Sequence, residues 1–69
     1  MSTSNYSILR LSETLRRTGL SRSKLYSLQS AGEFPQSIKL SRNGSAVGWI
    51  ESEVHQWIQA RIAERDRAA

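Results

Sequence analysis

The chain has 69 residues, no cysteine, a single histidine and a formal net charge of +4. That length allows one domain, and a core this small buries only about 60 % of the surface that the unfolded chain exposes. The missing cysteines exclude disulfide staples and thiolate zinc sites, and no apolar run nears the ~20 residues that a bilayer span requires.

Residues 1–7 read as a polar, flexible lead without the apolar stretch of a signal peptide. A soluble, intracellular domain is therefore expected over 8–65, with a polar tail over 66–69. Ile8–Arg10 has the character of a short strand. Ser12 is placed to cap a first helix that ends at Thr18, with Glu13 at its positive end and Leu11 and Leu15 facing inward. Gly19 stops that helix, because glycine tolerates the left-handed conformation.

Only Gly19-Leu20-Ser21 separates the first helix from the second, which is the tight corner of a helix-turn-helix. Ser21 is the second N-cap. Leu20 and Leu25 are spaced to staple the chain entry, Leu25 and Leu28 line the inner face, and Gly32 ends the helix after Ala31. A capping box would place Glu or Gln at the third helical position, yet Lys24 stands there and Arg22 at the first. Two cations and no acid at the positive end of a helix oppose its dipole. They suit a helix whose amide end receives a phosphate.

Phe34-Pro35 ends helical possibilities. Ile38-Lys39-Leu40 alternates as a half-buried strand should, with Lys39 outward, and Asn43-Gly44 suits a two-residue type I′ turn. Ala46–Trp49 returns with Val47 and Trp49 on one face. The last helix is expected from Glu51 to Arg65, where Val54, Trp57, Ile58 and Ile62 form an apolar stripe. Both tryptophans are read as packing residues. The resulting fold class is mainly α with a small β-hairpin, a winged helix-turn-helix.

Charge is distributed unevenly over these elements. Arg10 to Arg42 carries seven cations against two carboxylates, and Asn43 onward three arginines against four acids. The positive field thus belongs to the helical pair and the wing, which points to a polyanionic partner. Catalysis is not expected: His55 sits on a helix surface with no activated nucleophile, and no glycine-rich phosphate loop is present. No cofactor or metal is expected either.

On the second helix Arg22, Ser23, Lys24, Tyr26 and Ser27 are the candidates for DNA contact, with Gln29 and Ser30 at its far end. Arginine can bind guanine, and glutamine adenine, in the major groove. Tyr26 is read equally well as a phosphate contact and as a half-buried rim residue. Lys39, Arg42 and Asn43 on the wing are candidates for backbone or minor-groove contact. Arg16 and Arg17 on the first helix, with Ser21, are further candidates for the phosphate backbone. RNA is less well served, since no aromatic stacking platform marks the strands.

The runs Thr18-Gly19-Leu20-Ser21-Arg22-Ser23-Lys24-Leu25-Tyr26, Gly32-Glu33-Phe34-Pro35 and Val47-Gly48-Trp49, closing on Glu51-Ser52-Glu53-Val54 and Trp57-Ile58, occur in an order that resembles the AlpA family of phage and prophage regulators. The resemblance covers about residues 8–62, and that family is similar in turn to MerR-like winged helices and excisionases. It implies a double-stranded DNA-binding transcriptional regulator of a prophage or mobile element. An excisionase bending attachment-site DNA, or a module docking integrase or RNA polymerase, is the alternative. The recognition helix would be Arg22–Ala31 and the wing about Ile38–Trp49. Ser27 stands where the family often has arginine, and the wing tip Ser41–Ser45 is fuller than in the shortest members. The implied setting is the bacterial cytoplasm at the nucleoid, as a monomer in solution or as a dimer or array on DNA, since nothing beyond Arg65 resembles the coiled coil of MerR dimers.

Overall fold

A computed structural model describes residues 6–68; the expected flexible lead lies outside the described residues up to position 5, as does Ala69 of the tail. In chain order the elements are β1 (Ile8–Leu9), α1 (Leu11–Thr18), α2 (Arg22–Ser30), β2 (Ile38–Lys39), β3 (Val47–Ile50) and α3 (Glu51–Ala68). The three strands form one antiparallel sheet in the order β1-β3-β2. With three helices on this small sheet, the architecture is a winged helix-turn-helix.

Helix α1 begins one residue before the expected cap. Pairing of Leu9 with Trp49 holds the chain extended up to Arg10, which is the N-cap with ψ 171° and makes no side-chain cap bond. Both the amide and the hydroxyl of Thr14 then donate to the Arg10 carbonyl, each at 2.9 Å. Ser12 is left exposed inside the first turn, and Thr14 is fully buried although it is polar. Its hydroxyl is satisfied within its own helix, so burial leaves no unpaired polar atom.

The corner between α1 and α2 follows from two local devices. Gly19 adopts φ +75°, and its amide donates to the Leu15 carbonyl at 2.8 Å. Ser21 Oγ accepts from the Lys24 amide at 3.1 Å. Leu25 is completely buried, and Leu20 packs on the same core. At its other end α2 closes in a Schellman motif: Gly32, at φ +78°, donates to Gln29 and Glu33 donates to Leu28.

Leu9, Leu25, Phe34, Trp49 and Val54 form the buried core, with Leu11, Leu15, Leu28, Trp57 and Ile58 packed around them. Trp49 Nε1 donates to Gln29 Oε1 at 3.0 Å and to the Pro35 carbonyl at 3.1 Å. The Phe34 and Trp57 rings meet edge to face at 4.9 Å, and Trp57 Nε1 donates to the Glu33 carbonyl at 2.7 Å. Both indoles are thus packing residues with satisfied donors.

The wing departs from expectation in its register. A two-residue Asn43-Gly44 turn would pair Leu40 with Val47 and set Ile38 and Leu40 on the Trp49 face. The observed pairs are Ile38 with Gly48 and Lys39 with Val47, and the Leu40 amide donates to Ala46. Neither Asn43 nor Gly44 has a positive φ, so the turn is not type I′. Ser41 Oγ instead accepts from the Gly44 amide at 3.1 Å and closes a longer loop. A slip of one residue exchanges the faces of a strand. Lys39 therefore shares the helix-side face with Val47 and Trp49, while Ile38 and Leu40 point outward.

Strand β3 passes into α3 without a loop, and the first amide of α3, Glu51, donates to the Ser7 carbonyl at 2.8 Å. Ser7 is thereby tied down rather than part of a free lead. Helix α3 continues to Ala68, so Asp66–Ala68, expected as tail, are helical. Val54 is buried and Trp57 and Ile58 are half-buried, but Ile62 at the end of the stripe is exposed. No helix among the described residues is long and apolar enough to cross a membrane.

Candidate nucleic-acid interface

The inward residues of α2 are Leu25, Leu28 and Gln29, and at about 100° per residue their opposite face is centred on Ser23, Ser27 and Ser30. Arg22 and Tyr26 flank this serine ridge on one side and Lys24 on the other. All six side chains are exposed. Short hydroxyls at the centre let the helix approach a groove floor closely, while the longer cations diverge to either wall. Arg22 and Lys24 thus lie on opposite flanks of the ridge.

Electrostatics at this end of α2 agree with that arrangement. The first turn holds no acidic residue, and Ser21 caps it. Among the described residues no ion pair involves Arg22, Lys24, Lys39 or Arg42. Their charges, and the free amides of the first turn, remain available to an external anion.

Two candidates on the second helix have other partners. The Gln29 amide oxygen is committed to Trp49 Nε1, and the Gln29 carbonyl accepts from Gln36 Nε2 at 3.0 Å. Gln29 therefore fastens the end of α2 to the sheet and does not face a groove. Tyr26 is 39 % exposed, with its ring 6.3 Å from that of Trp49. It is a rim residue whose body packs on the sheet side and whose edge meets solvent.

The arginines of α1 are engaged within the molecule. Arg16 binds Glu13 through two nitrogens, at 3.1 and 2.5 Å, and Arg17 bridges Glu13 at 2.8 Å and Glu51 of α3 at 2.7 Å. Hydrogen bonds from Arg16 and Arg17 hold the Glu13 carboxyl at about 2, well below the usual carboxylate range. The same bonds raise both guanidinium groups. Arg17 joins α1 to α3 while Arg16 is held within α1, and any phosphate would have to share them.

Two cations not singled out for this face lie beside it. Arg10 donates from Nε to the Val47 carbonyl at 3.1 Å along the sheet. Arg61, one turn beyond Trp57, lines a groove between α2 and α3 with Leu20, Lys24, Leu28 and Glu33. The four-residue spacing from Trp57 to Arg61 was the available signal, since it sets both on one helix face. His55 lies exposed on α3, 3.4 Å from Gln59 Nε2, and no cluster of metal-ligating side chains occurs among the described residues.

A family model described as "Prophage CP4-57 regulatory protein (AlpA)" matches residues 7–62. "Uncharacterized protein ORF88" of Enterobacteria phage P4 is 46 % identical over 59 residues, which cover 86 % of this chain and 65 % of that protein. The chain thus spans a little under two thirds of that relative's length. The match of the family model takes in both helices of the corner, the wing and most of α3. By that match, the chain belongs to the family of the prophage CP4-57 regulatory protein, AlpA.

Proposed function

We propose that this phage regulatory protein is a sequence-specific double-stranded DNA-binding protein that acts in transcription. Helix α2 enters the major groove with its serine ridge toward the base edges, Arg22 and Tyr26 on one wall and Lys24 on the other. Lys39, Arg42 and Asn43 of the wing meet the backbone or minor groove alongside. One observation carries the reading: a serine-capped helix end without acids, flanked by two cations that no carboxylate among the described residues neutralises.

The test is duplex binding against salt, first on a random sequence and then on sites selected from a random pool. Wild type should show a steep fall of log affinity with log salt. Arg22→Ala should cost about 1–3 kcal/mol on the selected site and relax preference at one base pair. Lys39→Ala should weaken all duplexes alike and flatten the slope by about one unit. Equal losses for both variants on selected and random duplex would refute the division of labour.

Footprinting beside the protein's own gene then separates the two biological roles. Promoter sites support transcription control, and sites confined to an attachment region support an excisionase. The groove between α2 and α3, with its apolar Leu20, Leu28 and Trp57, favours a second reading in which the module docks a protein such as integrase or RNA polymerase. That reading requires no steep salt dependence on duplex.

A further inference from the structure

The register of the wing leaves an apolar surface on the side of the sheet away from the helices. Ile38 pairs with Gly48 and Ile8 with Ile50, so these four share that face, and Leu40 follows Ile38 by two residues. Ile8, Ile38 and Leu40 are 47, 39 and 37 % exposed. Gly48 lies beneath them: a Cβ placed there would be 2.4 Å from Ile8 Cγ2 and 3.6 Å from Leu40 Cδ2. The aliphatic groups thus close over the glycine as one continuous patch. Strand β2 forms the sheet edge, so nothing flanks Ile38 and Leu40 on their outer side within the sheet.

The wing that carries the patch has charge of one sign, with Lys39 on its opposite face. No carboxylate occurs between Glu33 and Glu51, whereas Lys39 and Arg42 lie on the wing and Arg10 along its base. A second copy would bring like charges together. The few aliphatic groups also fall far short of the roughly 800 Å² per partner that a stable interface buries. A polyanion with apolar walls fits both properties, and the minor groove of a duplex is one: deoxyribose rings line it between two rows of phosphates. Proteins that bind there combine basic residues with aliphatic side chains.

We infer that Ile38 and Leu40 form an apolar contact with the deoxyribose walls of the minor groove, so that the wing binds by burial as well as by charge. This rests on the DNA-binding reading and adds to it two residues and a non-ionic component of affinity. Because the contact carries no charge, it should be insensitive to salt. That separates it from Lys39 and Arg42.

The experiment is fluorescence anisotropy with a random-sequence duplex over a salt series, using wild type, Leu40→Ser, Ile38→Thr and Arg42→Ala. Thermal melts establish that each variant folds; Ile38→Thr keeps a β-branched residue and so protects the strand. Each aliphatic variant should lose about five- to tenfold in affinity at every salt concentration with an unchanged log–log slope. Arg42→Ala should lose about one unit of slope. A minor-groove-filling polyamide should abolish the difference between wild type and Leu40→Ser. If wild type binds the duplex and both aliphatic variants bind as well as it does, the inference fails and the DNA-binding reading stands. If wild type shows no duplex affinity at low salt, the reading itself fails. Loss of self-association in Leu40→Ser by sedimentation, or of binding to phosphatidylserine vesicles, with duplex affinity intact, would assign the patch to another partner and overturn the inference.

Discussion

Lys24→Glu tests whether the amide end of α2 is kept suboptimal for the sake of an anion. Lys24 occupies the third helical position after the Ser21 cap, the first turn has no acid, and Lys24 has no ion-pair partner among the described residues. A glutamate there completes a capping box by reaching back to the Ser21 amide. Removing a cation from the positive end and adding an anion each contribute about 0.3–1 kcal/mol. Nearby Arg61 favours the new carboxylate and Glu33 opposes it, so the groove adds little either way. The domain should gain about 0.5–2 kcal/mol, a rise of roughly 3–14 °C in Tm for a chain of this size. Far-ultraviolet circular dichroism melts measure that gain, and anisotropy should show a loss of duplex affinity larger than that of Lys24→Gln. Gln can also close the box but adds no negative charge. A variant with unchanged or lowered Tm would refute the dipole argument, and one that binds duplex as tightly as wild type would remove the phosphate from this helix end.

Three further outcomes test the packing and charge. In Gly48→Ala the new Cβ would also lie 3.1 Å from the Leu9 carbonyl oxygen, so overpacking outweighs the gain in strand propensity by about 1–2 kcal/mol in chemical denaturation. The loss should shrink in an Ile8→Ala background, because the nearest obstacle is then gone. The folded-state carboxyl of Glu13 lies at about 2, depressed from its ordinary value of 4.5 by the Arg16 and Arg17 hydrogen bonds. Its stabilisation is complete above the unfolded value and is lost as pH falls from about 4.5 towards 2. Wild type and Glu13→Gln should therefore differ in Tm at neutral pH, converge over that interval, and differ less in high salt because the pairs are exposed. Trp57→Phe deprives the Glu33 carbonyl of its donor and should cost about 1 kcal/mol with an unchanged denaturant slope.

The helical corner was legible because each of its instructions is local. Ser21 needs only the amide three residues on, and Gly19 and Gly32 need only their own φ. The start of α1 was not, since it depends on a partner some forty residues away. Arg10 caps that helix because Leu9 is paired with Trp49, and no propensity of Ser12 competes with a strand already hydrogen-bonded. Gln29 was misread for a similar reason. Its position on α2 suited base contact, but burial of Trp49 leaves an indole N–H that needs an acceptor, and Gln29 supplies it.

The wing shows the limit most clearly, because alternation fixes a period without fixing a phase. Ile38-Lys39-Leu40 and Val47-Gly48-Trp49 each alternate, and the side they present depends on how the loop between them counts. A two-residue turn matches apolar to apolar and yields a conventional amphipathic hairpin. The observed loop, closed by Ser41 onto Gly44, shifts the count by one and matches Ile38 to Gly48. Gly48 makes this register feasible, since only a residue without a side chain leaves room for Ile8 and Leu40 to meet above it. The same glycine therefore decides which face of the wing is aliphatic. A surface with exposed isoleucine and leucine costs a small domain solubility unless something covers it. Retaining it next to a basic tip makes physical sense where the covering partner is itself a charged polymer with apolar walls.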